Sequence, residues 1–96
     1  MDISRADIVM SLSGRDKEQL FYVLELQDEY VLYADGKSRR IEHPKRKKKK
    51  HIKYVARVDS RVAEKLRAGD KVLNSELRRD LASFGQQFIS QDQGGS

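Results

Sequence analysis

The first 58 residues consist of short runs rich in β-branched, aromatic and aliphatic residues, separated by turn-forming residues. Runs of this length and composition predict β-strands. The predicted strands are residues 7–13, 20–27, 30–34, 38–43 and 51–57. Asp28-Glu29 is a tight connection, and Asp35-Gly36 predicts a hairpin between the third and fourth strands. Pro44 lacks an amide donor and is expected to end the fourth strand, which is mostly polar.

Beyond residue 58 the apolar residues recur with a helical period. A short helix is predicted through about Ala68, capped by Asp59 or Ser60 and stopped by Gly69. A second helix follows, capped by Asn74 or Ser75. Its apolar face is the stripe Leu77, Leu81, Phe84 and Phe88, spaced by four, three and four residues.

These patterns divide the chain into a β region (residues 1–58), a helical extension (59–89) and a tail (90–96) expected to be disordered. The apolar residues of run 20–27 fall on both faces, as in a curved sheet that closes on itself. We therefore expect a mainly β fold, with a small five-stranded barrel followed by two short C-terminal α-helices. Packing of the helices on the barrel is favoured because isolated short helices are marginal in water. The alternative is an arm that docks on a partner.

Composition narrows the class of protein. A chain of 96 residues with 38% hydrophobic residues suits one domain with a limited core. It has no cysteine, which excludes disulfides and thiolate metal sites. No apolar run reaches the length needed to span a bilayer. We expect a cytoplasmic protein that is monomeric when free, with no cofactor, no metal and no membrane partner.

The charge is concentrated in one segment. The net charge is +5, but residues 37–53 contain ten basic residues and one acid, Glu42, which gives 10 − 1 = +9. The remainder holds 20 − 10 = 10 basic and 15 − 1 = 14 acidic residues, or −4. A single positive pole on a slightly acidic body is typical of proteins that bind a polyanion.

Three motifs occur in a recognisable order: GRDK at residues 14–17, YVLYADG at 30–36 and PKRKKKKH at 44–51. Together they resemble the KOW family, which occurs in ribosomal proteins and transcription elongation factors. The chain looks like the small bacterial KOW-domain RNA-binding proteins, which are similar to a KOW-containing large-subunit ribosomal protein of archaea and eukaryotes. The resemblance covers Asp7 to about Ile52. It extends less distinctly to the helical end.

The resemblance implies an SH3-like β-barrel and a non-enzymatic RNA-binding function associated with ribosomal RNA or the ribosome, in translation. The family glycine maps to Gly14, and the basic residues of the family's first loop map to Arg15 and Lys17. The chain departs from the family at two positions. It has Glu18 where a glycine often follows the loop lysine, and Ala6 where a glycine often precedes the first strand.

The basic segment is the candidate RNA-binding site, because ammonium groups neutralise phosphates without needing exact geometry. The residues expected to carry affinity are Lys45, Arg46, Lys47, Lys48, Lys49 and Lys50. The residues expected to refine placement or add charge are Arg15, Lys17, Arg39, Arg40, His51 and Lys53. Neighbours on a strand point to opposite faces, so one of Arg39 and Arg40 should join the surface. The other should pair with an acid such as Glu42 or face water.

Other interpretations stay open. The basic segment could be a solvated loop or a nuclear import signal, and the GRDK loop an ordinary charged turn with Asp16 stabilising it. The tyrosines favour a core role over base stacking or an aromatic cage for methylated lysine. His43 and His51 could in principle cut RNA by general acid–base catalysis, and the barrel could be a protein-interaction module of the transcription or translation machinery.

Overall fold

The computed structural model describes residues 2–94, with side chains described through Gln87. Five antiparallel strands form one sheet in the order β4-β3-β2-β1-β5. The elements are β1 (Ile8–Ser11), β2 (Leu20–Gln27), β3 (Tyr30–Ala34), β4 (Lys45–Lys48), a 3₁₀ turn (Lys49–His51), β5 (Ile52–Ala56), α1 (Arg61–Ala68) and α2 (Asn74–Gly94). Strands and helices occupy similar lengths of chain, so the fold is mixed α/β rather than mainly β. The reason is the length of α2, which has 21 residues and is not short.

The fourth strand lies farther along the chain than the sequence predicted. Residues 38–43 form bends and turns, and the strand that pairs with β3 is Lys45–Lys48. The Asp35 carboxylate explains the difference. It accepts hydrogen bonds from the backbone N–H groups of Lys37 and Arg39, both at 2.9 Å, which holds the chain in a loop. Asp35-Gly36 therefore begins a ten-residue connection instead of a tight hairpin, and Pro44 precedes β4 instead of ending a strand.

The sheet is strongly curled. Its two edge strands, β4 and β5, are separated by only the three residues Lys49–His51. In a flat sheet these edges would lie about 19 Å apart, four spacings of about 4.8 Å. The four residue steps from Lys48 to Ile52 span at most about 14 Å, so the edges must approach each other. Register irregularities between Val23 and Glu25, and between β1 and β5, add bending of the kind that β-bulges produce.

Curling explains why apolar residues occupy both faces of β1 and β2, since neighbours along a strand point to opposite sides. One face lines the inside of the curl and buries Val9, Phe21, Val23, Val31, Tyr33 and Ile52. The other face receives the helices and buries Ala6, Ile8, Tyr22, Ala34, Val62, Ala63, Val72, Leu77 and Leu81. The sheet thus has an apolar layer on each side.

Both helices pack on the sheet. Ser60 caps α1 by accepting the Ala63 N–H at 3.1 Å, and Gly69 ends α1 at a φ of 78°. The stripe on α2 buries Leu77 and Leu81, while Phe84 is half-buried. The side chain of Phe88 lies outside the described residues.

Helix α2 continues to Gly94, so residues 90–94 are helical where the sequence predicted a disordered tail from residue 90. Residues 95 and 96 lie outside the described part of the chain. Neither helix in that part is long and apolar enough to cross a membrane.

A polar cluster joins the two helices to the sheet. The Tyr22 hydroxyl donates to the Asp80 carboxylate, and the Ser60 hydroxyl donates to the same oxygen at 3.0 Å. Burial and the hydrogen bond to Asp80 raise the pKa of Tyr22 well above its ordinary value of 10.0. Three elements that lie far apart in sequence are therefore tied together at one point.

Candidate nucleic-acid interface

The sequence indicated a basic loop, but Lys45–Lys48 of the basic segment form β4, an edge strand of the sheet. Its side chains alternate between two faces, as the pairing with β3 shows. Lys45 and Lys47 lie opposite Tyr33 and Val31, whose side chains are buried. Arg46 and Lys48 lie opposite Leu32 and Tyr30, on the outer face. Strand formation thus divides the positive charges into two sets with different surroundings.

On the outer face, Arg46 is held in place by two neighbours. The carbon of its guanidinium lies 3.6 Å from the centroid of the Tyr30 ring, a close cation–π contact. Its Nε donates to the Gln27 side-chain oxygen at 3.3 Å. The Lys48 ammonium is 5.9 Å from the same ring centroid. The side chain of an exposed arginine is therefore partly ordered before any ligand arrives.

On the other face, Lys47 ties β4 to the GRDK loop. Its Nζ donates to the Ser13 carbonyl oxygen at 2.8 Å, next to Gly14. Lys47 thus has a structural contact that the sequence did not predict. The tether places the two predicted binding segments, the GRDK loop and the basic strand, side by side.

Beyond β4, the chain turns through Lys49, Lys50 and His51, all exposed, into β5, where Lys53 is also exposed. The turn is fixed at both ends. The Lys49 N–H donates to the Glu29 carbonyl at 2.8 Å, and the Leu12 N–H donates to the His51 carbonyl at 2.9 Å. A cleft of about 400 Å³ opens here, lined by Lys48, Lys49 and Lys50 together with Asp28 and Glu29.

The positive charge of this surface is not neutralised within residues 2–87. The ion pairs found there are Arg39–Asp16, Arg40–Glu42, Arg57–Asp7, Lys65–Glu76 and Arg67–Asp59. None of them includes a cation from residues 45–53. The protein's own described acids therefore leave the positive pole available to an external anion.

In the GRDK loop, Arg15 and Lys17 are exposed, whereas Asp16 is only 4% exposed. The Asp16 carboxylate accepts from the Tyr33 hydroxyl at 2.8 Å and from the Arg39 Nε at 3.0 Å. Burial and the bond to Asp16 raise the pKa of Tyr33 above its ordinary value of 10.0. Asp16 therefore anchors the loop, and the two cations that flank it face solvent.

Arg39 and Arg40 lie in the loop before β4, not on a strand, so the strand-alternation argument for them was wrong. They nevertheless differ in surroundings. Arg39 is committed to buried Asp16, while Arg40 is exposed, with its Nε 4.0 Å from a Glu42 carboxylate oxygen. An exposed pair at that distance contributes little stability. Of the two, Arg40 is the one that remains accessible.

The tyrosines and histidines considered as binding or catalytic residues differ in how deeply they are buried. Tyr22 and Tyr33 are fully buried and belong to the core, so they cannot form a surface cage. Tyr30 and Tyr54 are half-buried, and Tyr30 supports Arg46. His43 and His51 are exposed. No group of three or more acidic or histidine side chains within residues 2–87 is arranged to hold a metal ion.

Sequence reasoning did not identify Ser13, Gln27 or the support that Tyr30 gives to Arg46. These contacts depend on which residues lie opposite each other in neighbouring strands. The only local signal for them is the alternation of side chains along β4, and it can be used only once that strand is placed correctly. No protein-family model matches the chain, and no curated protein does. The functional argument therefore depends on the site.

Proposed function

We propose that this protein is a non-enzymatic RNA-binding protein that grips the RNA backbone with β4, the 3₁₀ turn and the GRDK loop. The observation that carries the proposal is the uncompensated charge of residues 45–53. Seven cations in nine residues have no ion-pair partner among the described residues. Four of them lie on β4, whose alternation presents them at fixed spacing.

The fold supports the same proposal. We infer that the curled sheet closes as an SH3-like barrel of the KOW type, because β4 and β5 are joined by a single 3₁₀ turn across the two sheet edges. The two departures from the family pattern add support. Ala6 and Glu18 have φ values of 70° and 69°. This is the left-handed backbone region that glycine favours, and both are positions where the family often has glycine.

The chemistry is electrostatic. Each phosphate neutralised by lysine or arginine releases condensed counterions, so affinity falls as salt rises. If about five phosphates are contacted on a single strand, log K should fall against log salt with a slope of roughly −3.5. Such contacts position the protein and do not read sequence. Ribosomal RNA is the proposed substrate because of the resemblance to ribosomal KOW proteins.

Two triple variants with equal loss of charge test the proposal. In the first, the exposed Lys48, Lys49 and Lys50 become glutamine. In the matched control, the exposed helical-side cations Arg61, Lys71 and Arg79 become glutamine. Lys47 is left unchanged because its bond to Ser13 holds the GRDK loop.

RNA affinity, measured by fluorescence anisotropy at low salt, should fall at least about tenfold in the first variant. In the control it should fall much less, and both variants should keep the circular dichroism of the parent. Equal losses in the two variants would show that only net charge matters and would overturn the proposed site. Sedimentation with ribosomal subunits, before and after nuclease treatment, tests the proposed substrate.

A further inference from the structure

The Arg46 guanidinium has one covered face and one accessible face. Tyr30 covers the first at a stacking distance of 3.6 Å, and the bond to Gln27 restrains rotation. Arg46 as a residue is exposed, so the face turned away from Tyr30 is open to solvent. A planar, restrained cation of this kind can stack on a nucleobase, and little side-chain freedom remains to be lost on binding.

The neighbouring cleft is lined by residues of opposite charge, Lys48, Lys49 and Lys50 together with Asp28 and Glu29. No ion pair within 4.0 Å joins these lysines to these acids in the described part of the chain. The two carboxylates repel phosphates, so we expect a bound backbone to follow the lysines. An unpaired nucleotide can keep its phosphates on the lysines and turn the N–H groups of its base towards the carboxylates.

Resting on the RNA-binding function proposed above, we propose that this surface selects an unpaired nucleotide of RNA, such as one in a bulge or loop. Its base stacks on the open face of the Arg46 guanidinium, and its flanking phosphates contact the lysines of the cleft. Arg46 is then a specificity-determining residue, whereas the lysines supply general affinity.

Two substitutions that preserve charge separate stacking from electrostatics. Arg46→Lys keeps the positive charge and removes the planar group. Arg61→Lys makes the same exchange at an exposed arginine of α1, outside the proposed surface, and serves as the matched control. Each protein is titrated at one fixed, low salt concentration with two hairpins. One is fully paired, and the other has the same stem with a three-nucleotide bulge that contains 2-aminopurine.

The parent protein should prefer the bulged hairpin by roughly 5- to 140-fold, the range that one stacked base contributes. Binding should quench the 2-aminopurine fluorescence as the base stacks. Arg46→Lys should lose the preference and the quenching while its affinity for the paired hairpin stays within about twofold, because the number of phosphate contacts is unchanged. Arg61→Lys should retain both properties.

A parent protein that binds the two hairpins equally would overturn the inference, as would an Arg46→Lys variant that keeps the preference. Either result leaves the proposed RNA-binding function standing. Failure of the parent to bind either hairpin in dilute buffer is a different outcome and would refute the proposed function itself. Circular dichroism of each variant establishes that the fold is retained.

Discussion

Gly36 and Gly69 allow a sharp test of how the loop before β4 is fixed. Both have a φ of 78°. Alanine in this left-handed conformation costs about 1–2 kcal/mol at either position. Only Gly36 is packed against other residues. A Cβ there would overlap the Asn74 carbonyl oxygen and lie 3.1 Å from the Arg78 amide nitrogen, whereas nothing lies within 4 Å of a Cβ at Gly69.

The difference between the two sites sets the expected magnitudes. Overpacking against atoms that cannot move freely costs about 1–3 kcal/mol beyond the backbone term. Gly36→Ala should therefore lower the free energy of unfolding by about 2–5 kcal/mol, and Gly69→Ala by about 1–2 kcal/mol. A chain of this length has a total stability of roughly 5–14 kcal/mol, so Gly69→Ala should still fold, and Gly36→Ala should fold if the parent's stability exceeds about 5 kcal/mol.

Urea unfolding followed by far-ultraviolet circular dichroism measures both free energies on one scale. The comparison uses the two variants and the parent at the same pH and salt, with the m-values checked for equality. If the two variants lose the same free energy of unfolding within about 0.5 kcal/mol, the reasoning is refuted. The close approach of Gly36 to the first turn of α2 would then add nothing to the cost of the substitution.

Three further outcomes are expected. Asp16→Ala leaves the buried Tyr33 hydroxyl without its acceptor and should cost about 2–3 kcal/mol in urea unfolding; a loss under about 0.5 kcal/mol would contradict the anchoring role. Glu18→Gly should stabilise the protein by up to about 1 kcal/mol, because it relieves a left-handed φ of 69° at an exposed position; destabilisation would show that the Glu18 side chain contributes more than its backbone strain costs. The pKa values of Tyr22 and Tyr33 are raised in the folded protein, so as pH rises these two hydroxyls lose their protons in the unfolded chain before they do in the folded one. The free energy of unfolding should therefore fall as pH rises above about 10, and these two tyrosines should not change it at lower pH. Absorbance at 295 nm and urea unfolding across that range test the last expectation, and Tyr33→Phe should weaken the dependence.

The elements predicted correctly are those with strong local signals. The strand 30–34 and the tight Asp28-Glu29 connection match the structure, and β2 occupies the predicted residues 20–27. Helix α1 has its predicted cap at Ser60 and its stop at Gly69. These signals are a dense run of apolar residues, a capping hydroxyl and a terminal glycine. Each one affects only a single strand or helical turn, so it can be interpreted without knowing which other element packs against it.

The fourth strand was misplaced because its true residues, Lys45–Lys48, contain no apolar position. Polar strands are specified by the neighbour that they pair with, and here β3 supplies the buried Val31 and Tyr33 opposite alternate lysines. The loop from Asp35 onwards also depends on distant residues, since the Ile41 N–H donates to the Asn74 side chain on α2 at 2.8 Å. No window of sequence contains both partners of such a contact.

For the candidate site, composition alone determined that a positive pole exists and where it lies in the chain, because charge is a property of residue identity. Tertiary structure decided what each charge can do. The fold brought Lys47 to Ser13, Arg39 to Asp16 and Arg46 to the ring of Tyr30. Those assignments depend on register and side-chain direction, which arise only when residues far apart in sequence are brought together by a curled sheet.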